Sequence, residues 1–446
     1  MKIQLSDHFT YKKLLSFVIP SVIMMVVNSV YSIVDGLFVS NIVGTIAFAA
    51  INLMMPAIYI IYTIGFMIGT GGSALVGMKL GEKKDQEANE LFTLFIVSAI
   101  IMGVISSAIC FYYMEDIAIY LGANEATLAD CILYGRVMMI SCTFFILQCC
   151  FQNFMITAER PKMGLIVTVI AGVSNVLLDF LLMSVFNFGL LGAAIATALA
   201  QTISALIPLF YFLRKNNSRL HFTKFRWDFK SLFKGCSNGA SEMLSNLSRS
   251  LVGILYNIQL IKIAAENGLA AYGVILYITF IFFAIFLGYS FGVAPIISYN
   301  YGSQNKREMK NIFNKSMVLI LSTSVLMVFV GIAFSKPLSE IFVGYDKELL
   351  QMTIRGLVIY SLSYVFTGFN VFASSFFTAL NNGLVSGVLA IVRTMIFEVG
   401  AIIILPIYFG LDGIWFAIVV AEALSLIMSV AFIIKGNKNY GYLPSK

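Results

Sequence analysis

Hydrophobic residues fall into long continuous runs along the chain, and short polar segments separate these runs. Most runs contain about 20 residues or more, which at about 1.5 Å per residue lets a helix cross the roughly 30 Å hydrocarbon core of a bilayer. Strands of an outer-membrane barrel would alternate apolar and polar residues instead. The pattern therefore predicts membrane-spanning helices along the whole chain.

Twelve spans are predicted, and we number them 1 to 12 in chain order. Their ranges are 14–36, 47–78, 91–113, 131–157, 163–187, 190–213, 235–260, 268–300, 312–334, 354–380, 385–409 and 411–434. Spans 2 and 8 are longer than a bilayer requires, so we expect them to tilt, kink or project. Pro20, Pro56, Pro208 and Pro295 lie inside spans, where proline can bend a helix.

Composition narrows the class of protein. The chain has 446 residues, of which 59% are hydrophobic and 11% charged, whereas soluble domains carry about 25% charged residues. A soluble enzyme or a nucleic-acid-binding protein of this size would lack the polar surface to cover itself. We therefore predict an all-α polytopic membrane protein that lies in a lipid bilayer and has no nucleic-acid partner.

The basic residues predict the orientation in the membrane. Apart from four arginines in or at the ends of spans, the loops on one predicted side hold only Lys262, Lys336 and Lys347. All other Lys and Arg residues lie on the opposite side, including seven in the segment 214–234. Positive charge marks the cytoplasmic side, so we expect both termini and this segment in the cytoplasm.

Cysteine and histidine give no sign of a metal or redox site. The six cysteines lie in or beside apolar segments without a C-x-x-C pair, and the two histidines lie in hydrophilic segments. We expect no cofactor, and no metal beyond a possible Na⁺.

The chain repeats itself at an offset of 221 residues. Phe-Gly-Leu-Leu-Gly at 188–192 matches Phe-Gly-Leu-Asp-Gly at 409–413, and the same offset pairs Gly81 with Gly302. Each repeat holds six spans, an even number, so equivalent helices point the same way. We therefore predict two six-helix lobes, 1–213 and 235–446, joined by a linker at 214–234. A pseudo-twofold axis along the membrane normal would relate them.

Ionisable and polar residues inside spans mark candidate sites, since charge in the membrane is costly. In the N-terminal lobe these are Asp35, Asn175, Asp179 and Thr197. Counting helical rise places Asp179 about 25 Å above the cytoplasmic end, near the level of the others. Such oxygen atoms suit a hard cation, or a carboxylate pair that shares a proton. Asp35 could instead be a residue of the aqueous interface.

The C-terminal lobe has a different set of charges. They are Glu242, Arg249, Arg393, Glu398 and Glu422. One interpretation is a second coupling site or an anchor for a cationic substrate. The alternative is structural ion pairing, for example of Arg393 with Glu422.

Several features resemble one family of membrane proteins. They are the two six-span repeats, Pro20 ahead of Asp35 in span 1, the stretch NVLLD at 175–179, GAAIAT at 192–197 and GIW at 413–415. Together and in this order they resemble the MATE (multidrug and toxic compound extrusion) transporters over nearly the whole chain.

The resemblance implies a secondary antiporter, not an enzyme, that exports organic cations and drugs in exchange for Na⁺ or H⁺. It assigns the family's N-lobe cation site to Asp35, Asn175, Asp179 and Thr197, and a helix that bends during transport to Pro20. Glu242 matches a carboxylate that part of the family has in span 7. Span 10 contains no acidic residue, which excludes coupling through the aspartate that other branches carry there.

We further expect a monomer in the cytoplasmic membrane of a prokaryote. A lipid-linked oligosaccharide flippase of the same superfamily is the alternative function, but twelve spans with buried acids in both lobes favour export of cations. The sequence has neither a phosphate-binding G-x-x-x-x-G-K-[ST] loop for an ATP-driven pump nor a nucleophile–base pair for an intramembrane hydrolase.

Overall fold

The computed structural model describes residues 3–443, which form helices, turns and loops and, within this range, no strand. Met1, Lys2 and residues 444–446 belong to the predicted cytoplasmic tails and lie outside the described residues.

The first six spans are each a single helix or a helix that continues as a π-helical turn. They are Tyr11–Phe38 with the π segment Val39–Val43, Thr45–Gly81, Asp85–Tyr112, Leu128–Thr157, Pro161–Asp179 with the π segment Phe180–Val185, and Gly189–Leu213. A short helix, Met114–Tyr120, connects spans 3 and 4.

The last six spans occupy fewer continuous helical runs. They are Phe229–Gly302 for spans 7 and 8, Lys306–Ala333, the pair Lys347–Ser361 and Tyr364–Ala379, and finally Gly383–Ile391, the π segment Val392–Glu398 and Val399–Tyr440 for spans 11 and 12. A short helix, Ser335–Val343, connects spans 9 and 10.

Among the described residues, nine helical runs are long and apolar enough to cross a membrane. The 74-residue run Phe229–Gly302 is broken at Ala265 and the run that ends at Tyr440 is broken at Gly410, where the backbone leaves helical geometry. Each of these runs therefore contains two spans. The bent pair Lys347–Ala379 supplies one more. The prediction of twelve spans is confirmed.

The backbone itself repeats at the offset of 221. Residues with positive φ recur at this spacing: Gly44 with Ala265, Lys83 with Gln304, and Gly189 with Gly410. These residues end spans at equivalent points of the two halves. The fold therefore consists of two lobes with the same turn geometry, as predicted from the sequence.

Span 10, predicted over 354–380, is not one straight helix. It begins at Lys347 and bends by 49° between Ser361 and Tyr364. At the bend the Leu362 and Ser363 amides donate to the carbonyl oxygens of Ile359 and Tyr360 at 3.1 and 3.0 Å, three residues back, so the regular α-helical ladder is interrupted there. Pro20, Pro56, Pro208 and Pro295, by contrast, lie in helices that continue past them.

Glycines allow the two lobes to touch at the end of the molecule that bears the termini. A Cβ on Gly81 would lie 2.0 Å from the Tyr299 carbonyl oxygen, and a Cβ on Gly302 would lie 2.0 Å from that of Met78. These two contacts are equivalent under the 221 offset. Spans 2 and 8 therefore pack backbone against backbone, which only residues without a side chain permit.

The N-terminal segment, residues 3–10, lies across this closed end. Its Leu5 amide donates to Glu159 Oε1 of the N-terminal lobe at 2.9 Å, and its Phe9 amide donates to Glu308 Oε1 of the C-terminal lobe at 2.9 Å. His8 Nδ1 lies 2.7 Å from Glu308 Oε2. The side chains of Leu5 and Phe9 are fully buried, so the segment links the two lobes.

The helix of span 7 begins at Phe229, within the segment 214–234 that we predicted as the linker. Arg219 pairs with Asp85 of span 3 at 2.7 Å. Asp228 caps span 7 by accepting from the Ser231 amide at 3.1 Å, and hydrogen bonds from Ser231 lower the pKa of Asp228 below its usual value.

Candidate functional site

Spans 1 and 5 bring two aspartates together inside the N-terminal lobe. Span 1 packs closely on span 5, where a Cβ on Gly172 would meet the Tyr31 ring at 3.4 Å. Asp35 follows Tyr31 by one turn and Asp179 follows Gly172 by two turns, and the two carboxyl groups lie near enough to interact electrostatically. Asp179 ends the α-helical part of span 5, immediately before the π segment Phe180–Val185.

The polar atoms at this point are buried and lack partners. Asp179 is 0% exposed and Asn175 is 1% exposed. Within residues 3–443, neither carboxyl oxygen of Asp179, neither amide atom of Asn175, nor Oδ1 of Asp35 has a hydrogen-bond partner. A buried polar group without a partner costs about 1–3 kcal/mol. Oxygen atoms in this state have the chemistry to accept a cation or a proton, which makes this place a candidate site.

Thr197, the fourth predicted member of this site, lies on span 6 and is half-buried. Its hydroxyl donates no hydrogen bond to Asp179, whose oxygens have no partner among the described residues. The structure thus places Asp35 and Asp179 near each other and Asn175 one turn away from Asp179 on the same helix. Within the described residues it shows no hydrogen bond from Thr197 to this pair.

Tyrosines surround the pair, and the sequence analysis missed them. Tyr134 of span 4 interacts electrostatically with both Asp35 and Asp179, and Tyr31 interacts electrostatically with Asp35. The spacing of Tyr31 four residues before Asp35, on one helix face, could have identified it. Nothing in the local sequence of Tyr134 singles it out.

Four of the five C-lobe residues line one cavity of about 220 Å³, namely Arg249, Arg393, Glu398 and Glu422. Aromatic side chains form much of its wall, among them Tyr272, Phe280, Phe283, Tyr360 and Tyr364.

Arg393 and Glu422 form the buried ion pair that we considered as an alternative. The Arg393 Nε atom lies 3.0 Å from Glu422 Oε1, and Nη2 lies 2.5 Å from the same oxygen. The Asn370 amide donates to Glu422 Oε2 at 2.6 Å, and Ser429 donates to Asn370 Oδ1 at 2.9 Å. Groups of the protein itself therefore satisfy both charges.

Glu242 lies apart from this cavity. It lines a small cavity of about 20 Å³ between the lobes, together with Thr70 and Asn153 of the N-terminal lobe and Ser375 and Thr378 of the C-terminal lobe. Its charge is still near enough to interact with those of Arg249 and Arg393. Grouping Glu242 with the other four residues as one local site was therefore too coarse.

Both charged clusters include π-helical turns, which occur mainly at functional positions. One such turn directly follows Asp179, and another, Val392–Glu398, carries both Arg393 and Glu398. Across residues 3–443 there is no group of three or more His, Cys, Asp or Glu side chains placed to hold a metal ion.

Twelve helices in two repeated lobes, with buried charge inside each lobe, define a polytopic membrane transporter. The sequence model of the MatE family matches the chain twice, over residues 20–181 and 242–403. The chain therefore belongs to the MatE family, the family of the MATE transporters, and each lobe carries one copy of the family's repeat.

Relatives and solved structures extend over the whole chain. The multidrug export protein MepA of Staphylococcus saprophyticus is 25% identical over 433 residues, which are 95% of this chain and 93% of that protein. MepA of Staphylococcus aureus is 24% identical with the same coverage. These chains are thus similar to this one along their entire length.

Two solved structures have the same fold. An outward-facing multidrug resistance MATE family transporter superposes with a TM-score of 0.93 at 22% identity, covering 99% of this chain and 98% of that one. A transporter of the MOP superfamily from Pyrococcus furiosus, described as having a binding pocket of reverse polarity, superposes with a TM-score of 0.89 at 22% identity and covers 98% of each chain.

Proposed function

We propose that this protein is a secondary antiporter that exports organic cations and other drugs in exchange for inward Na⁺ or H⁺. The observation that carries the proposal is the pair Asp35 and Asp179, two carboxyl groups close enough to interact electrostatically, with oxygen atoms that are buried and lack partners among the described residues. The multidrug export role of the similar MepA proteins supports the choice of substrate.

Ion coupling follows from the cost of leaving this pair charged inside the lobe. A carboxylate removed from water without a counter-ion is strongly disfavoured. Either a proton shared between Asp35 and Asp179 or a Na⁺ ion on their oxygens, with Asn175 and Thr197 as further oxygen donors, would neutralise the site. Protons and Na⁺ should therefore compete for the same atoms.

Transport then needs no contact between ion and drug. The lobes meet at the end that bears the termini, where Gly81 and Gly302 pack on spans 8 and 2. Rocking about this contact would open one side and close the other, and each bound species biases the same equilibrium. Pro20, buried in span 1 beside the contact with span 8, is the residue we assign to bending of that helix.

We also propose a monomer in the cell membrane with both termini in the cytoplasm, as the distribution of basic residues indicates. The contact between lobes would then close the cytoplasmic side. A flippase for lipid-linked oligosaccharides is less favoured, because unpartnered carboxylates in the N-terminal lobe suit cations rather than a pyrophosphate group.

The proposal is tested by ethidium efflux from proteoliposomes in which Na⁺ and pH gradients are imposed separately. Export should follow at least one of the gradients, and Asp179→Asn should abolish it, because the neutral amide removes the charge that the ion must balance. The matched control is Glu242→Gln, a buried carboxyl in the other lobe, which should alter affinity for the drug more than ion dependence.

Robust ethidium export by Asp179→Asn at normal expression would contradict the proposal. If Glu242→Gln changed only the Na⁺ or pH dependence and left drug affinity untouched, the roles of the two lobes would be reversed.

A further inference from the structure

The cavity of the C-terminal lobe contains two charges that no protein group pairs. Arg393 and Glu422 satisfy each other, as described above. Arg249 and Glu398 line the same cavity, yet within residues 3–443 neither one forms a salt bridge within 4.0 Å. Their charges interact at longer range. The cavity thus presents one accessible cation and one accessible anion.

Phe283 holds the Arg249 guanidinium in place, since its ring centroid lies 4.0 Å from the guanidinium carbon. Stacking on an aromatic face fixes the plane of the fork and leaves its N–H groups free to donate at the edge. A planar guanidinium with free N–H groups recognises carboxylate or phosphate oxygens. A ligand without an anionic group would leave these donors unused, and a purely cationic ligand would be repelled by Arg249.

The rest of the wall is aromatic. Tyr272, Tyr360 and Tyr364 are buried and line the cavity, and the Tyr364 hydroxyl lies 2.9 Å from that of Thr279. Aromatic walls of this kind accept a flat apolar body by stacking. Glu398 provides the counter-charge for an amino or iminium group on that body.

We propose that this cavity binds aromatic zwitterions, with the carboxylate of the ligand on Arg249 and its cationic group on Glu398. The inference rests on the proposed export function, because it names a class of substrate for it. It goes further in assigning that class to a subsite in the C-terminal lobe, separate from the ion site at Asp35 and Asp179.

Equilibrium binding to the purified protein tests this independently of transport. The probes are rhodamine 110, which carries a free carboxylate, and rhodamine 123, its methyl ester and a plain cation, with fluorescence polarisation as the readout. The wild-type protein should bind rhodamine 110 the more tightly. Arg249→Gln should weaken rhodamine 110 binding by about 10- to 100-fold, the contribution of a hydrogen bond to a charged group. It should not weaken the binding of rhodamine 123, because the loss of Arg249 removes a charge that repels this cation.

The matched control is Arg136→Gln. Arg136 also lies over a phenylalanine ring within a span, 5.4 Å from the Phe111 centroid, but it does not line this cavity. Its loss should not distinguish the two dyes. Glu398→Gln should weaken the binding of both dyes, because both carry the cationic group.

Equal weakening of both dyes by Arg249→Gln would overturn the inference, since Arg249 would then have only a structural role. Equal or tighter binding of rhodamine 123 by the wild-type protein would also overturn it, and this comparison needs no variant to fold. If both dyes bind as expected but no ion gradient drives their export, the antiport proposal fails while the subsite stands.

Discussion

The two lobes touch through glycines at the end of the molecule that bears the chain termini. One added methyl group there should therefore shift the equilibrium between the closed and open arrangements of this end. In Gly81→Ala the new Cβ would lie 2.0 Å from the Tyr299 carbonyl oxygen, whereas real Cβ atoms stay at least 3.0 Å from such neighbours. The backbones of spans 2 and 8 must therefore separate by about 1 Å. Overpacking of this kind costs about 1–3 kcal/mol, which lowers the population of the closed arrangement about 5- to 150-fold relative to the open one.

The distance between the lobes measures this shift. Nitroxide labels at Gln86 and Arg307, exposed positions related by the 221 offset, report it by pulsed electron–electron resonance. Cys110 and Cys236, the two cysteines that are not fully buried, are first replaced by serine. Gly81→Ala should move the distribution toward longer distances.

Two further variants make the reasoning refutable. Gly302→Ala should act like Gly81→Ala, because its Cβ would lie 2.0 Å from the Met78 carbonyl oxygen. Gly253→Ala should leave the distances unchanged, because a Cβ there meets nothing within 4 Å. If Gly81→Ala and Gly253→Ala gave the same distance distribution, this contact would not control closure.

Two other predictions concern the turn between spans 7 and 8 and the N-terminal segment. Ala265 has φ 50° and ψ −143°, a region of backbone conformation that favours glycine, and the equivalent residue of the other repeat is Gly44. Ala265→Gly should therefore raise the free energy of unfolding by about 1–2 kcal/mol, and Gly44→Ala should lower it. Thermal melting in detergent would show both changes. A lower melting temperature for Ala265→Gly would contradict this assignment of strain. Glu308→Gln weakens the acceptor that holds the N-terminal segment, so a cysteine placed at the buried position of Leu5 should react faster with maleimide. The equivalent change Glu87→Gln in the other repeat should not accelerate that labelling.

The number of spans was predictable because each helix satisfies its own backbone and must be apolar for about 20 residues. The positions of two turns were also predictable from the sequence. The gap predicted between spans 7 and 8, 260–268, contains Ala265, and the gap predicted between spans 11 and 12, 409–411, contains Gly410. The helices break at these two residues. The bend in span 10 was not predictable from hydropathy. At the bend the backbone hydrogen bonds reach back three residues instead of four, a local change that apolar periodicity does not report.

The candidate sites were predictable only in part. Asp179 stood out because a carboxylate inside an apolar run needs a reason to be there. Its neighbour Tyr134 comes from a distant span, and packing alone places it beside the pair. Glu242 and Arg249 are seven residues apart on one helix, which suggested a common site, yet Glu242 lies against the N-terminal lobe while Arg249 lines the cavity within its own lobe.

The central claim is that drug export and ion uptake are coupled through Asp35 and Asp179. The most direct test is to impose only an ethidium gradient across proteoliposomes and to measure the ion flux that it drives, using ²²Na⁺ and an internal pH dye in parallel. In the wild-type protein, outward movement of ethidium should drive Na⁺ or H⁺ in the opposite direction. In Asp179→Asn, the ethidium gradient should drive neither ion. Ethidium transport without any ion movement, or ion movement that persists undiminished in Asp179→Asn, would contradict it.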